Sequence, residues 1–471
     1  YAIAQCLVGS EMCIRDSAYI VFMEEKQMKF HMIGIGGISM SALAKILIKY
    51  RFVVTGTNAE ENDNVKELEK MGIDFVQGHC PCFVQEADVI VYSGAIADDD
   101  PDLMLAREMK KIILSRAQLL GLICKGYKTI AICGSHGKST TSALIAKMLN
   151  DCGVKASMHL GGISKDFGSN LFLTDGQWMV TEACEYKESF LSLYPDIIVV
   201  TNEKPDHLDY FKKSENYFSA YQKFARNLQK GGSIIVNCDD KMSKSLDCSQ
   251  KFGISVMGEG DLTAKNLRLK NGKPKFEVWC GCKRLGTIKS PMFGKFNAYN
   301  IMSALAVGLK LNLPFKRMKK SIEKFKGLKR REEFVCMCNG GRVYHDYAHH
   351  PDEINAIIST FNRLPHKKLY VVFQPHTYSR TQFFMAEFAE SFDLADKVYL
   401  LPIYPAREQE ISGVSSQVLA SKIVEHGKEA EVLDDFQSAC EKMISTISKN
   451  DILLILGAGD IEKLAEMLKK I

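Results

Sequence analysis

The sequence predicts an α/β protein, and its length predicts about three domains. The chain has 471 residues, and a domain typically takes ~100–200. Short apolar runs suited to strands alternate with helix-competent runs along most of the chain, a pattern typical of parallel sheets covered by helices. Two strand-to-helix junctions turn through glycines, at Gly34–Gly37 and at Gly134–Gly137. Such a turn directs backbone N–H groups into one concavity, which suits a phosphate.

Composition and charge exclude several classes of partner. Hydrophobic residues make up 46% of the chain and charged residues 25%, an ordinary globular balance. The net charge of +5 comes from 61 basic and 56 acidic residues, and no dense Lys/Arg stripe resembles a nucleic-acid-binding face. No apolar run approaches the roughly 18 residues of a membrane span. We therefore expect no nucleic acid and no membrane among the partners, and a monomer or weak homodimer.

Residues 1–22 differ in character from the rest of the chain. The stretch CLVGSEMCIRDS, Cys6 to Ser17, resembles the in-frame translation of a common sequencing-library adapter. Charges interrupt its apolar flanks, so it lacks the apolar core of a signal peptide. We expect these residues to be non-native, the natural chain to start at Met23 or Met28, and the protein to be leaderless and cytoplasmic.

The cysteines are predicted to be free thiols. Zinc sites typically use Cys-x₂₋₄-Cys pairs with a second pair or histidines behind them. This chain has Cys-x-Cys pairs that are far apart in sequence, at Cys80/Cys82, Cys280/Cys282 and Cys336/Cys338. Free thiols in a reducing cytosol account for them more simply than metal sites do.

The first glycine turn is an incomplete dinucleotide-binding fingerprint. It reads GIGGIS from Gly34 to Ser39, between an apolar run and a helix-competent run. The third glycine is missing, and Asn58 stands where a nicotinamide-binding protein usually has an acid for the ribose. A nucleotide diphosphate is the expected ligand, with plain strand–helix packing as the alternative. Further alternation of strand and helix ends this domain near Gly126.

The second glycine turn predicts ATP binding. The apolar run Thr129–Cys133 stops at Gly134, and a helix-competent run starts after Lys138. Lys138 would supply a charge for the β- and γ-phosphates, and the Ser139 hydroxyl a ligand for Mg²⁺. Ile132 stands where the usual pattern has a glycine, which leaves a plain strand–helix turn as the alternative.

Two later strands place polar residues near this turn. The runs Gln177–Ala183 and Asp196–Asn202 each end in polar residues, and ligands of open α/β sheets bind at the carboxyl ends of strands. Glu182 is a hard oxygen ligand fit for Mg²⁺, and His207 could ligate a metal or shuttle a proton. For each residue alone a structural role is the favoured interpretation, but their shared position at adjacent strand ends near a nucleotide turns the balance toward function.

The remaining chain continues the pattern. Alternating runs with Asn-Gly and Cys-Gly turns over Leu262–Ile288 predict an antiparallel hairpin, and a helix follows over Asn297–Leu311. A third region starts near Gly327 and again alternates strand and helix.

Histidine-rich turns mark this third region. His349, His350 and His376 could ligate a metal, but no acid or thiol partner has metal-site spacing. Recognition of an amino acid or a phosphate by His376 and Arg380 is favoured, since arginine makes bidentate bonds to such groups.

Ten motifs together carry a family resemblance. In chain order they are HMIGIGGISMS, GSHGKSTT, TEACEYKESF, TNEKPDHLDYF, KFNAYNIMSALA, GLKRREEF, DYAHHPDE, FQPHTYSRT, YPARE and GAGD. They resemble the Mur ligase family, the ATP-dependent amide synthetases of peptidoglycan precursor assembly, over Lys29 to Ile471. The resemblance implies a Rossmann-like UDP-sugar domain (23–126), a central P-loop ATPase-type domain with a mainly parallel sheet (127–326), and a Rossmann-like C-terminal domain that closes over both (327–471).

The implied chemistry has two steps and needs ATP and Mg²⁺. The lactyl carboxylate of UDP-N-acetylmuramate attacks the γ-phosphoryl group of ATP, and the amine of an amino acid then attacks the acyl phosphate. GIGGISMS and YPARE favour the family member that adds L-alanine. Ligases that add a later amino acid, or that attach a whole peptide in recycling, remain alternatives.

The resemblance also implies roles for individual residues. Lys138, Glu182, His207 and Arg380 carry catalysis. Ser139 and Glu182 hold one Mg²⁺, and His207 serves a second Mg²⁺ that bridges the sugar carboxylate and the γ-phosphate. Asn297 and Asn300 contact adenine, while Arg331 and Asp346 reach the nucleotide from the closing domain. The ATP-binding set is completed by Gly134, Ser135, His136, Gly137 and Thr140. The UDP-sugar contacts are Gly34, Gly36, Gly37, Ser93, Ser169 and Asn170, and the amino-acid contacts are Tyr347, His376 and Arg380.

The chain departs from the family pattern in three respects. Ser135 and Ser139 replace the commoner threonines of the phosphate loop, a mild chemical change. Tyr221 occupies the position of a carbamoylated lysine in sister ligases, so we predict no carbamate. Lys204 stands where an acidic or neutral residue is commoner, which leaves the local electrostatics open.

Two readings outside the family predict different observations. A nicotinamide-dependent oxidoreductase built on the first glycine turn would bind NAD(P) and leave the second turn without a role. A non-catalytic nucleotide-binding regulator would bind ATP and release no phosphate with sugar nucleotide and alanine.

Overall fold

The computed structural model describes residues 28–202, 208–248, 250–406 and 408–470. Three β-sheets covered by helices give the three-domain α/β fold that the sequence predicts. The described residues divide into two compact units. The first runs to Thr263 and includes Met302–Ser321, and the second holds Ala264–Ile301 and everything from Ile322 onward.

The first sheet is a five-stranded parallel sheet in the first unit, in the order β3-β2-β1-β4-β5. The strand order reverses beside β1, so the turn after β1 lies at a topological switch point, where α/β proteins bind ligands. The strands are β1 (Lys29–Ile33), β2 (Val53–Asn58), β3 (Asp74–Gln77), β4 (Val89–Tyr92) and β5 (Ile112–Ser115). The helices are α1 (Ile38–Lys49), α2 (Asp63–Lys70), α3 (Pro81–Glu86), α4 (Pro101–Glu108) and α5 (Arg116–Lys125).

The central sheet has β6 (Lys128–Cys133) in its middle, with side chains from Ile130 to Cys133 fully buried. Its other strands in the first unit are β7 (Ala156–His159), β8 (Leu171–Phe172), β9 (Trp178–Glu182), β10 (Ile197–Val200), β11 (Ser233–Asn237), β12 (Lys251–Ser255) and the start of β13 (Leu262–Lys270). Their order is β13-β12-β11-β10-β6-β9-β7-β8, parallel except for β8.

Helices and one 3₁₀ segment cover this sheet. They are α6 (Lys138–Asp151), the 3₁₀ segment Tyr186–Ser192, α7 (Leu208–Phe211), α8 (Ser214–Arg226), α9 (Lys241–Ser245), α10 (Phe296–Lys310) and α11 (Phe315–Ile322). The unit boundary falls inside α10. This helix begins and ends one residue before the predicted positions, Asn297 and Leu311.

The predicted hairpin is confirmed in the second unit. β14 (Lys273–Cys280) pairs antiparallel with β15 (Lys283–Lys289), with a bulge at Val278/Trp279. The turn from β13 into β14 passes through Asn271 and Gly272, which both have positive φ, at 50° and 72°. Two consecutive positive φ angles are the mark of a type I′ turn, and Asn-Gly is the sequence that adopts it most readily.

The third sheet also lies in the second unit and has six strands in the order β16-β17-β21-β18-β19-β20. Only β16 is antiparallel to its neighbour. The strands are β16 (Glu333–Cys338), β17 (Gly341–Asp346), β18 (Leu369–Phe373), β19 (Lys397–Leu400), β20 (Glu429–Val432) and β21 (Ile452–Leu456). The helices are α12 (Pro351–Asn362), α13 (Tyr378–Phe383), α14 (Met385–Glu390), α15 (Ser416–Glu425), α16 (Phe436–Thr446) and α17 (Glu462–Lys469).

Strand register places the polar turns of the third sheet at one edge. Asp346 is in register with Leu456, and Leu456 with Phe373, so β17, β21 and β18 end side by side. The His-rich turns predicted after two of these strands therefore meet the GAGD turn at the carboxyl edge of the sheet.

Cysteines and hydropathy add two observations. The thirteen cysteines within the described residues form no disulfide with one another. Across the same residues, every helix is too short or too polar to cross a bilayer.

The predicted domain boundary at 126/127 falls between α5 and β6, and the boundary at 326/327 follows α11; both boundaries stay predictions.

Candidate active site

Close packing and hydrogen bonds fix the position of the second glycine turn at the end of β6. Gly134 has φ of 125°, and an added Cβ would lie 2.1 Å from the Thr201 Oγ1 atom, so only glycine fits. Thr201 Oγ1 and Asn202 Nδ2 donate to the carbonyl oxygen of His136 at 2.7 and 2.9 Å. Gly137, with φ of 83°, is the N-cap of α6. The residues after β10 thus hold the turn against the positive end of a helix, as an anion site requires.

Lys138 makes a buried ion pair that sequence reasoning missed. Its Nζ lies 3.0 and 3.1 Å from the two carboxylate oxygens of Glu185, which has no exposed side-chain surface. It also donates to the carbonyl oxygens of Gly134, at 2.5 Å, and Ser135, at 3.3 Å. Burial alone would lower the pKa of Lys138, but the Glu185 charge outweighs it and holds that pKa well above its usual range. The available signal was a second acid three residues after Glu182, in TEACE.

Two tyrosines of α8, Tyr217 and Tyr221, connect this helix to the second glycine turn through hydrogen bonds. The Tyr217 hydroxyl lies 2.9 Å from Ser135 Oγ and 2.9 Å from the Tyr221 hydroxyl. The Tyr221 ring packs edge-on against Phe190, which stacks on Phe224. Burial raises the pKa of both phenols, so both hydroxyls stay protonated. Tyr221 is therefore a packing and hydrogen-bonding residue, and the absence of a carbamate stays a prediction.

The candidate metal ligands lie on neighbouring elements. Glu182 ends β9 and is in register with Ile132 of β6, two residues before Gly134. Its Oε1 accepts from the Gly161 N–H at 2.7 Å, and Oε2 makes no hydrogen bond within the described residues. Ser139 is the second residue of α6. One carboxylate and one hydroxyl are hard oxygen donors that fit Mg²⁺. His207 lies outside the described residues.

The first glycine turn is closely packed around β1. Gly34 has φ of 79°, and a Cβ there would lie 3.0 Å from the Ser93 Cβ, which places these two predicted UDP contacts together. A Cβ on Gly36 would lie 2.7 and 2.8 Å from the amide nitrogens of Asn62 and Asn58. Asn58 Oδ1 accepts from the Gly36 N–H at 3.3 Å. Asn58 therefore stabilises the first glycine turn through a hydrogen bond.

The start of α1 is bonded to the central domain within the first unit. Ser39 Oγ lies 3.0 Å from His159 Nε2 and accepts from Arg116 at 3.1 Å. Asn170 Nδ2 donates to the carbonyl oxygen of Ile38 at 2.8 Å. Burial, aided by the Arg116 charge, lowers the pKa of His159 to about 4, so the ring is neutral at pH 7. His159 and Arg116 were missed because their partner is more than 75 residues away in sequence.

The remaining predicted sugar contacts lie at these same positions. Gly37 is the N-cap of α1 and has no side chain to cap it. Ser169 precedes Asn170 in the chain, and its Oγ accepts a hydrogen bond from the Leu171 N–H at 3.1 Å. The structure thus brings Gly37 and Asn170 to one end of α1, with Ser169 beside Asn170 in the chain.

The predicted adenine contacts are buried in the second unit. Asn297 Nδ2 donates to Glu332 Oε1 at 2.9 Å, and Asn300 Nδ2 donates to Asn297 Oδ1 at 2.8 Å. Glu332 Oε2 accepts from the Phe293 N–H at 2.7 Å, and the Glu332 N–H donates to Asp346 at 2.7 Å. Burial raises the pKa of Asp346 to about 6, and burial together with the Asp346 charge raises that of Glu332 to about 8. Glu332 was missed because one acid among the charged residues of KRREE carries no local signal.

Two arginines lie close to the ring of Tyr347, a predicted amino-acid contact. The guanidinium groups of Arg330 and Arg331 lie 4.8 and 5.3 Å from the centre of the Tyr347 ring. Arg331 is 3.7 Å from Glu353. Arg330 donates to the carbonyl oxygen of Gly459 at 2.9 Å, which ties it to the GAGD turn. The predicted nucleotide residue Arg331 and the predicted amino-acid residue Tyr347 are therefore neighbours.

A chain of rings connects Tyr347 to Arg380. Tyr347 and His349 have ring centres 5.3 Å apart, and His349 and His376 6.0 Å apart. Arg380 Nη1 lies 3.3 Å from His376 Nδ1, and the Tyr404 ring stacks on His376. Burial lowers the pKa of both histidines to about 4. Arg380 is thus the cation beside two neutral rings, an arrangement suited to a carboxylate.

A lysine-bearing glycine turn at the carboxyl end of a central strand in a mainly parallel sheet, with an α/β domain on either side in sequence, is typical of multidomain enzymes that use nucleotides. Family models match three successive parts of the chain. They are described as Mur ligase family, catalytic domain (29–128), Mur ligase middle domain (132–308) and Mur ligase, glutamate ligase domain (330–459). The chain belongs to the Mur ligase family.

Two relatives are similar in sequence to this chain over almost its full length. The chain is 37% identical over 452 residues to a UDP-N-acetylmuramate–L-alanine ligase of Clostridium novyi (strain NT), covering 95% of this chain and 98% of the relative. It is 38% identical over 454 residues to the enzyme of the same name in Alkaliphilus metalliredigens (strain QYMF), with the same coverage.

Solved structures are also similar. The crystal structure of a UDP-N-acetylmuramate-alanine ligase, MurC, from Thermotoga maritima gives a TM-score of 0.82 at 27% identity and covers 94% of this chain and 98% of that one. A murein peptide ligase from Psychrobacter arcticus 273-4 gives a TM-score of 0.70 at 20% identity, covering 94% and 99%, and shares the fold.

Proposed function

We propose that this protein is an ATP-dependent ligase that joins L-alanine to the lactyl carboxylate of UDP-N-acetylmuramate in peptidoglycan precursor synthesis. The observation that carries the proposal is the full-length similarity to enzymes of that name, at 37% and 38% identity. The phosphate turn around Lys138 supports the ATP-dependent step. We infer that the enzyme acts in the cytoplasm as a monomer or weak homodimer.

The reaction needs ATP because a carboxylate is a poor electrophile at neutral pH. A carboxylate oxygen forms a bond to the γ-phosphorus, and the bond from that phosphorus to the β–γ bridging oxygen breaks to release ADP. The alanine nitrogen then bonds to the carbonyl carbon of the acyl phosphate, loses a proton, and inorganic phosphate leaves. Positioning and charge neutralisation supply most of the acceleration in such transfers.

The central domain would hold the phosphates. The N–H groups of the turn from Gly134 to Thr140 and the Lys138 charge neutralise the transferring group, and Glu185 keeps Lys138 charged and in place. Ser139 and Glu182 would hold one Mg²⁺ and His207 a second. When bound, Mg²⁺ supplies a positive charge that offsets the phosphate oxygens.

Other residues would bind the three substrates. Gly34, Gly36, Gly37 and Ser93 bind the UDP group, and Ser169 with Asn170 the sugar. Asn297 and Asn300 form the adenine site, with Arg331 and Asp346 at the rest of the nucleotide. Tyr347, His376 and Arg380 bind alanine, with Arg380 on its carboxylate. The neutral rings beside Arg380 support this assignment, because at pH 7 they add no charge of their own beside the guanidinium group.

Phosphate release tests the proposal. The protein is incubated with ATP, Mg²⁺ and UDP-N-acetylmuramate together with each of the twenty amino acids in turn. We expect release with alanine and little with the others, and none when the sugar nucleotide is omitted. Preference for a later amino acid or for a peptide would replace the alanine assignment. Absence of release despite ATP binding would indicate a regulator, and a fluorescence titration with NAD(P)H tests the oxidoreductase alternative.

A further inference from the structure

We propose that Cys80 and Cys82 form an oxidation site, a thiol pair that a peroxide closes to a disulfide, and that this modification alters the first glycine turn. The two thiols belong to one of the Cys-x-Cys motifs of the chain, which no step of the proposed reaction uses. The effect on the turn rests on its proposed role in binding the UDP group. The disulfide itself depends only on the geometry of the two thiols.

The two sulfur atoms are already in contact. Cys80 Sγ lies 3.1 Å from Cys82 Sγ, so formation of a bond of ~2.05 Å requires an approach of only about 1 Å. Cys80 is the N-cap of α3 and is buried, whereas Cys82 lies in the first turn of that helix and is exposed. The exposed sulfur therefore meets an oxidant from solvent, and the buried sulfur lies beside it to react next.

The other two Cys-x-Cys motifs lack this contact. Cys336 and Cys338 lie in β16, and an extended strand separates Cα atoms two residues apart by ~6.6–6.8 Å, at the upper limit of disulfide geometry. Cys280 ends β14, and Gly281 turns the chain with φ of 53° before Cys282. In both pairs, which lie within the described residues, no hydrogen bond joins the two sulfur atoms. The same spacing thus gives one pair in contact and two internal controls.

The oxidation balances with one molecule of hydrogen peroxide. The Cys82 thiolate attacks one peroxide oxygen, the O–O bond breaks, and the departing hydroxide takes a proton to become water, which leaves a sulfenic acid. The Cys80 sulfur then attacks the Cys82 sulfur and gives up its proton, and the S–O bond breaks to release a second water. The two thiols lose two electrons, which the peroxide gains. Burial raises the pKa of the Cys80 thiol, as suits the residue that reacts second.

A path of hydrogen bonds connects Cys80 to the first glycine turn. The Cys80 N–H lies 3.2 Å from both carboxylate oxygens of Asp102, which is fully buried. Thr57 Oγ1 donates to the same carboxylate at 3.5 Å, and the Thr57 carbonyl oxygen accepts from the N–H groups of Gly34 and Ile35 at 2.8 and 3.0 Å. Because the sulfurs must move closer to bond, we expect Cys80 and this path to shift. Oxidation should therefore weaken binding of the UDP group.

Peptide masses test the disulfide. The reduced full-length protein is treated with hydrogen peroxide, its remaining thiols are blocked with N-ethylmaleimide, and its tryptic peptides are weighed. The peptide 71–107 contains no cysteine besides Cys80 and Cys82. It should lose two hydrogens, about 2 Da, and take up no maleimide, whereas the peptides of the other two Cys-x-Cys pairs should take up maleimide on both thiols. Dithiothreitol should reverse the change.

Steady-state kinetics test the effect on the turn. The KM of UDP-N-acetylmuramate should rise about two- to tenfold on oxidation, which corresponds to the net worth of one hydrogen bond, and should return with dithiothreitol. Cys82→Ser is the control. This variant should have the KM of the wild type before peroxide treatment and keep it afterwards, since it cannot form the disulfide.

The outcomes separate the disulfide, its effect and the proposed function. Free thiols at Cys80 and Cys82 after peroxide treatment, or disulfides forming equally in all three pairs, overturn the proposal. A disulfide with an unchanged KM overturns its effect on the glycine turn, and so does an equal rise in Cys82→Ser, because the cause then lies elsewhere. Absence of any turnover overturns the proposed function, while the peptide masses still decide whether the disulfide forms.

Discussion

The ammonium group of Lys138 lies 3.0 and 3.1 Å from the two carboxylate oxygens of Glu185, in the phosphate turn of the central domain. Glu185 is fully buried, and Lys138 also donates to two carbonyl oxygens of the turn. The lysine is therefore charged and held at the turn by contacts within the protein. Preorganised charge of this kind acts in the transition state without the cost of reorientation.

Removing the lysine should slow catalysis more than it weakens sugar binding. Lys138→Ala removes a charge whose importance grows as the phosphoryl group is transferred, so kcat should fall at least about a hundredfold, on the order of 3 kcal/mol. Lys147→Ala is the control, because Lys147 lies on the same helix and pairs with Asp151 at 2.6 Å, away from the turn. Steady-state kinetics measure both. Near-normal turnover in Lys138→Ala would remove the turn from the mechanism.

Removing only the acid should destabilise the fold. Glu185→Gln leaves the Lys138 charge without its counter-charge, which in a buried pair costs on the order of 3 kcal/mol. The Tm should fall, and Lys138→Met combined with Glu185→Gln should recover much of the loss, because the stranded charge is then gone. Thermal unfolding of both variants tests this. A single variant as stable as the wild type would mean that the pair contributes nothing.

Mg²⁺ dependence tests the two metal assignments. Glu182→Gln and His207→Ala should each raise the Mg²⁺ concentration needed for half-maximal activity, since each removes a proposed ligand. Glu188→Gln is the control, because Glu188 follows the same strand but pairs with Lys223 at 2.8 Å. An unchanged metal requirement in both variants would make Glu182 and His207 structural residues.

Alanine affinity should depend on Arg380. Losing a charge-assisted bidentate contact predicts about 1.5–3 kcal/mol, which is a ten- to hundredfold rise in the KM of alanine. The KM of ATP should change less, and Arg363→Ala, an exposed arginine after α12, should change neither. An equal loss of ATP affinity would identify Arg380 as a nucleotide residue and leave the alanine pocket to be found elsewhere.

Stability of the first unit should fall on acidification. Burial lowers the pKa of His31 and of His159 to about 4, below the ~6.5 of an exposed histidine. Between these values the unfolded chain binds more protons, so stability is full above pH 6.5 and is lost as the pH drops toward 4. At pH 5 each ring accounts for a loss of about 2 kcal/mol. The Tm of His159→Gln should fall less than that of the wild type between pH 8 and pH 5; an equal fall contradicts the assignment.

Local sequence signals were enough for the elements and both glycine turns. The turn at Asn271 and Gly272 and the strand-to-helix junction at Gly134 depend on conformations that one or two residues dictate. The positions of these turns, and the hairpin or strand-to-helix connection that each makes, could therefore be predicted without knowledge of the rest of the chain.

Partners that are distant in sequence could not be predicted in the same way. Lys138 meets Glu185 only because β6 and β9 lie side by side, and Ser39 meets His159 across 120 residues. Asn297 was predicted as an adenine contact, yet its amide is engaged by Phe293 and Glu332. The pairing of a particular acid with a particular amide is determined by the packed fold, and no periodic pattern in the sequence indicates it.

Trapping the activated carboxylate shows directly whether the enzyme forms an acyl phosphate of UDP-N-acetylmuramate. The protein is incubated with ATP, Mg²⁺, UDP-N-acetylmuramate and hydroxylamine, without alanine, and the nucleotide and sugar products are quantified. The account predicts ADP and the hydroxamate of UDP-N-acetylmuramate in equal amounts, with both strongly reduced in Lys138→Ala. AMP with pyrophosphate, or ADP without hydroxamate, would contradict activation of the lactyl carboxylate as an acyl phosphate.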